Sequence, residues 1–220
     1  MRCYCISGLG ANYKAFDYLE IDHEQIHLAW IPPLPNESLR NYAMRLAEPI
    51  DTSEPFLLLG LSFGGRLALE IAKVLNPQRL ILISTFVSTK EFSWYIRLLG
   101  LLPIHRLIPI SQRNPPMPIA YWIFGVNQTH TKKLLKDIIS KSDPHFLKWA
   151  LSKIFKSTPI EIPANGIRIH GNRDRLIPAK KIKNVHWIDK GGHLVIAQNA
   201  QQVNELIQQN LKKAGRMVEK

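Results

Sequence analysis

The stretch Leu57-Leu58-Leu59-Gly60-Leu61-Ser62-Phe63-Gly64-Gly65-Arg66-Leu67-Ala68-Leu69-Glu70 decides the fold. An apolar run ends at Gly60, a lone serine stands between glycines, and an amphipathic stretch follows. That is the pattern of a strand, a very tight turn and a helix, with Ser62 at the apex. Such a turn lifts the hydroxyl above the sheet, and the first N–H groups of the new helix aim at the same point. Glycine suits positions 60 and 64, because side chains two residues either side of the apex would collide where strand and helix nearly touch. An ordinary strand-to-helix turn carrying a surface serine reads the same over these residues, so the rest of the chain decides.

Upstream, Arg2 to Ile6 reads as a short strand that ends at Ser7-Gly8-Leu9-Gly10-Ala11-Asn12. A dinucleotide cradle of the form G-x-G-x-x-G needs glycine at position 13, where Tyr13 stands, and no Walker lysine pattern follows. The turn's other use is to offer a backbone N–H to a developing oxyanion. Asn12 can cap a short helix running to about Leu19. Gln25 to Ile31 is expected to form the second strand, and a helix starting at Asn36 and Glu37 carries Leu39, Tyr42, Ala43 and Leu46 on one face. Pro55 to Leu59 leads into the Ser62 turn, and the helix beyond it runs from about Gly65 to Leu75, stopped by Asn76-Pro77. Arg79 to Thr85 is continuously apolar enough for a central parallel strand.

Residues 86–158 differ. They show helical periodicity, proline breaks and aromatics, but no strand pattern. Leu98 to Ile110 is apolar and broken by Pro103 and Pro109, and residues 115–118 read as a linker. Thr131 to Ser140 and Pro144 to Lys156 read as amphipathic helices. Strand–helix alternation then resumes with strands at 167–171 and 184–188 and a closing helix over 201–213. Such alternation predicts a doubly wound, mostly parallel α/β sheet of about six strands, with its site beyond the strands' carboxyl ends.

Composition bounds the rest. With 220 residues, 45% apolar and 21% charged, the chain suits one globular domain with an insertion. No apolar run is long enough for a membrane-spanning helix, and the first ten residues, with one arginine and a short apolar run, are not expected to act as a signal peptide. Cys3 and Cys5, two apart on one strand, point the same way without easy bridging geometry, so a reduced, cytoplasmic setting is expected. The net charge of +12 is uneven: −2 over residues 1–85, +8 over 86–158 and +6 over 159–220. No nucleic-acid recognition motif accompanies it, so nucleic acid is not an expected partner.

A serine hydroxyl needs a base, and the base needs an orienting acid. Past the fifth strand comes His170-Gly171-Asn172-Arg173-Asp174-Arg175-Leu176-Ile177-Pro178, and past the sixth Asp189-Lys190-Gly191-Gly192-His193-Leu194. Asp174 and His193 therefore each stand in a loop at a strand's carboxyl end. His170 is a rival base and Asp189 a rival acid. The aromatics Trp94, Tyr95, Trp122, Phe124, Phe146 and Trp149 fit either packing or pocket walls.

These pieces resemble the α/β-hydrolase superfamily over nearly the full length: G-L-S-F-G-G, S-G-L-G, H-G-N-R-D-R-L-I-P and G-G-H, in the family's order. The resemblance implies Ser62 as nucleophile, His193 as general base and then acid, and Asp174 as its orienting partner. It also implies an oxyanion hole from the N–H groups of Leu9 and Phe63, and no cofactor or metal. Residues 1–85 and 159–220 would form the core and 86–158 an inserted helical lid. Ser7 departs from the family, since many relatives have histidine there, and the family's two outer N-terminal strands have no counterpart.

The implied activity is a serine hydrolase cleaving a small-molecule carboxylic ester or thioester through an acyl-enzyme. Acyl transfer or carbon–carbon cleavage by the same triad is the alternative, and a non-catalytic ligand-binding scaffold is a third reading. The basic 86–158 segment offers a docking face to an acidic acyl carrier protein, an acyl-CoA or another anionic surface.

Overall fold

The computed structural model describes residues 1–101 and 116–218. Most of the proline-broken apolar stretch up to Ile110 falls outside them. Six strands, β1 (Arg2–Ile6), β2 (Glu24–His27), β3 (Phe56–Leu61), β4 (Arg79–Ile83), β5 (Gly166–Gly171) and β6 (His186–Ile188), form one sheet. The order is β2-β1-β3-β4-β5-β6 and every pairing is parallel. Every residue of β3 and β4 is buried, as central strands covered on both faces must be.

The two-residue period of a strand divides the core into two layers. Tyr4, Ile6, Leu58, Leu80 and Leu82 pack toward α1 (Leu39–Leu46) and α2 (Phe63–Leu75). Cys3, Cys5, Leu57, Leu59, Ile81 and Ile83 belong to the other layer, with Val203 and Ile207 of α8 (Ala200–Val218). Both cysteines are therefore buried on one face and unbridged, with sulfurs 3.9 Å apart.

Among the described residues between β4 and β5 lie the helices α3 (Trp94–Leu101), α4 (Met117–Phe124), α5 (Thr129–Lys141) and α6 (Pro144–Ile154). A short α7 (Val195–Gln198) precedes α8. No strand occurs among the described residues of this stretch, and no helix among them is long and apolar enough to cross a membrane.

Element ends depart from the sequence reading for identifiable reasons. Helix α1 opens at Leu39 because the Ser38 hydroxyl accepts from Asn41 N–H, while Asn36 sits at a φ of 58° that no helix allows. Strand β2 stops at His27, and Trp30 turns inward to donate its indole N–H to Ala11 O at 2.9 Å. Met117 and Pro118 open α4 instead of linking elements, since proline in a first turn has no helical N–H to lose.

The chain runs from β1 to the β2 edge and returns on the other side of β1 as β3. The direction of winding reverses there, and the crevice at such a point lies beyond the carboxyl ends of β1 and β3. Those ends carry the Gly8 turn and Ser62.

A buried ion pair braces the floor beneath. The Arg168 guanidinium on β5 donates to both carboxylate oxygens of Glu91, at 2.9 and 2.7 Å, and to the carbonyl of Thr85. The Thr85 hydroxyl in turn donates to the carbonyl of Ser62 at 2.6 Å.

Candidate active site

Ser62 adopts φ 53° and ψ −116°, a region that side chains rarely occupy and that costs on the order of 1–3 kcal/mol. The surrounding contacts hold it there. Its N–H donates to Ile83 O at 2.8 Å, and its carbonyl accepts from Thr85. A Cβ on Gly60 would lie 2.4 Å from Gly65 Cα, and one on Gly64 would lie 2.3 Å from the carbonyl oxygens of Ile6 and Ser7. Strand, turn and helix are in backbone contact, so α2 begins at Phe63 and Ser62 itself occupies the cap position.

The Ser62 hydroxyl lies 2.9 Å from His193 Nε2, and His193 Nδ1 lies 2.6 Å from Asp174 Oδ2. Both partners are buried, His193 at 2% and Asp174 at 3% exposure. With a carboxylate beside Nδ1, the neutral ring keeps its proton on that nitrogen and turns the Nε2 lone pair to the serine. Asp174 Oδ1 accepts from the N–H groups of Leu176 and Ile177 at 2.8 and 3.0 Å. Burial opposes the charge on Asp174, but the pull of His193 and His170 outweighs it and holds the carboxyl well below the usual range.

Several solved structures share this architecture. MenH from S. aureus superposes with a TM-score of 0.74 at 16% identity, over 98% of this chain and 94% of that one. A thermophilic esterase from Thermogutta terrifontis gives 0.71 at 17%, over 97% and 90%. A bromoperoxidase from Bacillus anthracis gives 0.67 at 15%, over 96% and 91%. The chain has the α/β-hydrolase fold. No protein-family model and no curated protein matches it by sequence.

Within this α/β-hydrolase fold the first turn abuts the serine. A Cβ on Gly8 would lie 3.4 Å from Ser62 Cβ, and the Ser7 hydroxyl closes the turn by donating to Ala11 O at 2.8 Å. Ser7 thus supports the turn from within. Among the described residues the N–H groups of Leu9 and Phe63 donate to no partner, and both residues line the cavity that Ser62 faces.

The rival acid is elsewhere: Asp189 is exposed and accepts from the Asn172 side chain at 2.9 Å. His170 faces Asp174, with Nε2 2.9 Å from Oδ2, and not Ser62. Helix α4 grips both polar loops, a role with no sequence signal beyond the helix-ending Gly125. His193 N–H donates to Phe124 O at 2.7 Å, and the Phe124 ring stands edge-on to the imidazole at 5.2 Å. Arg175 donates to Trp122 O at 2.9 Å and lies over its ring. Of the other aromatics, Phe146 is buried beside Trp149 and Phe63, Tyr95 donates to Arg175 O, and Trp94 is exposed.

A cavity of about 720 Å³ opens onto Ser62 and His193, with walls from α4, α5 and α6. No group of three or more His, Cys, Asp or Glu side chains able to hold a metal occurs among the described residues.

Proposed function

We propose that this protein is a serine hydrolase cleaving a carboxylic ester or thioester through an acyl-enzyme. The observation that carries the reading is the unbroken line from Ser62 Oγ through the His193 ring to Asp174, at 2.9 and 2.6 Å. His193 Nε2 takes the hydroxyl proton as Ser62 attacks the acyl carbon. Asp174 fixes the ring and stabilises the imidazolium that forms. The oxyanion of the tetrahedral intermediate is met by the N–H groups of Leu9 and Phe63, the latter at the positive end of α2. His193 then protonates the departing alcohol or thiol, and the same steps run with water release the acid.

Residues 86–158 form the lid in this reading, with α4 to α6 enclosing the acyl group. Lys132, Lys133 and Lys136 of α5 belong to its +8 charge and offer a face for an anionic carrier of the acyl group. Docking of that kind weakens as salt rises past physiological strength.

Turnover of short p-nitrophenyl esters by the wild type and by Ser62→Ala tests the reading. The expected loss is about 10⁶-fold, as when a working triad is removed. Retained activity in the variant contradicts the assignment, and a product that depends on an added acceptor moves it to acyl transfer.

A further inference from the structure

We infer that the acyl group accepted here is a long, uncharged hydrocarbon chain, and that a chain ending in a carboxylate is rejected. The inference rests on the serine-hydrolase reading and names the substrate class of that site.

The cavity wall carries it. Ile119 and Ile123 of α4, Leu134 and Ile138 of α5, and Leu147 and Leu151 of α6 line a space of about 720 Å³. That volume lies in the range of pockets, ~300–1,000 Å³, that bury most of a drug-sized ligand. Away from Ser62 and His193, the polar side chains at the wall among the described residues are Ser142 and Lys148. The Ser142 hydroxyl is already spent on Ile138 O at 2.7 Å, and Lys148 is exposed to water. Among the described residues the interior of the wall therefore offers hydrocarbon contact, and its one cation, Lys148, stands at the exposed side.

Two consequences follow from transfer energetics. Each methylene moved from water into such a wall raises kcat/KM by about fourfold until the space is filled. A carboxylate carried to the same depth loses its hydration and finds no partner among the described side chains of the interior wall, which costs at least about a hundredfold.

The experiment measures kcat/KM for p-nitrophenyl acetate, butyrate, hexanoate, octanoate and decanoate below their micelle thresholds. Active sites are counted with a fluorophosphonate. An octanoyl ester is then compared with the ester of the same chain ending in a carboxylate. The expected result is a severalfold rise per methylene from acetate to octanoate and a hundredfold or greater fall for the carboxylate-ended chain.

Ala120→Phe fills the space from α4, and Ile123→Trp does so at a partly exposed position should Ala120→Phe fail to fold. Either variant should flatten the chain-length profile, with octanoate and decanoate losing far more of their kcat/KM than acetate. A flat or falling wild-type profile, or equal turnover of the carboxylate-ended ester, with Ser62 still labelled, overturns the inference alone. Absence of both labelling and turnover overturns the serine-hydrolase reading instead. In that event calorimetric titration with 1-decanol and 1-butanol still decides the cavity: decanol must bind tighter by two orders of magnitude or more, and equal affinities contradict the inference.

Discussion

His170 Nε2 lies 2.9 Å from Asp174 Oδ2, the same oxygen that faces His193 Nδ1 at 2.6 Å. His170 is fully buried, and its Nε2 is also 3.1 Å from the carbonyl of Ile177. A nitrogen facing two acceptors must carry the proton, so His170 donates to the carboxylate and keeps it from turning away from His193. Under the proposed triad His170 acts through Asp174, as a positioning residue. His170→Leu removes a donor to a charged group, worth about 1.5–3 kcal/mol, and should lower kcat roughly 10- to 100-fold with KM little changed. His170→Gln can restore an N–H near the same place and should recover most of the loss. Equal defects in the two variants would assign His170 to packing alone.

Asp174 links activity to acid stability. Its folded pKa is lowered below its unfolded value, so its contribution is fully present above the ordinary carboxylate range, near about pH 4. That contribution is lost as pH falls below this range toward the folded value. Asp174→Asn should therefore lower Tm most at pH 7, and the gap to wild type should narrow steadily in acid. The same variant should lose about 10⁴-fold in kcat, because the amide favours the wrong tautomer of its histidine. A Tm gap that widens in acid would contradict the assignment of Asp174 as an ionised, stabilising group.

Gly64 allows no side chain. Its Cβ would meet two backbone oxygens at 2.3 Å, and backbone cannot swing aside as a side-chain tip can. Gly64→Ala should cost at least the ~1–3 kcal/mol of an overpacked core and displace the Ser62 turn, measured by chemical denaturation and esterase assay. Gly8→Ala meets Ser62 Cβ at an ordinary 3.4 Å and should fold with near wild-type stability. Equal stability losses for the two would contradict the account of the turn.

Arg168 and Glu91 brace the floor beneath Ser62. Breaking a buried pair from one side leaves an unpaired charge, so Arg168→Ala should cost about 3–5 kcal/mol in denaturant unfolding. Replacing both partners with apolar residues of similar size should recover much of that loss. A double variant as unstable as the single one would show that the pair itself, and not the stranded charge, supports the floor.

The sheet was legible because burial on both faces writes strands as apolar runs, as in Leu57–Leu59 and Leu80–Ile83. The Ser62 turn was legible for a steric reason: a Cβ on Gly60 would meet Gly65 of α2, and one on Gly64 would meet the carbonyls of Ile6 and Ser7 at the end of β1, so only glycine fits at either place. Helix α4 was not, because Pro116 at its cap and Pro118 in its first turn read as a linker and its contacts to Arg175 and His193 are long-range. The bond from His170 to Asp174 has its partners four residues apart in sequence, but one is on β5 and the other in the loop beyond it, where no helical spacing announces the contact.

The most direct test of the central claim is covalent labelling. A fluorophosphonate should modify the native protein once, peptide mass spectrometry should place the adduct on Ser62, and Ser62→Ala should take up none. An unlabelled wild type, or equal labelling of Ser62→Ala, would contradict the account.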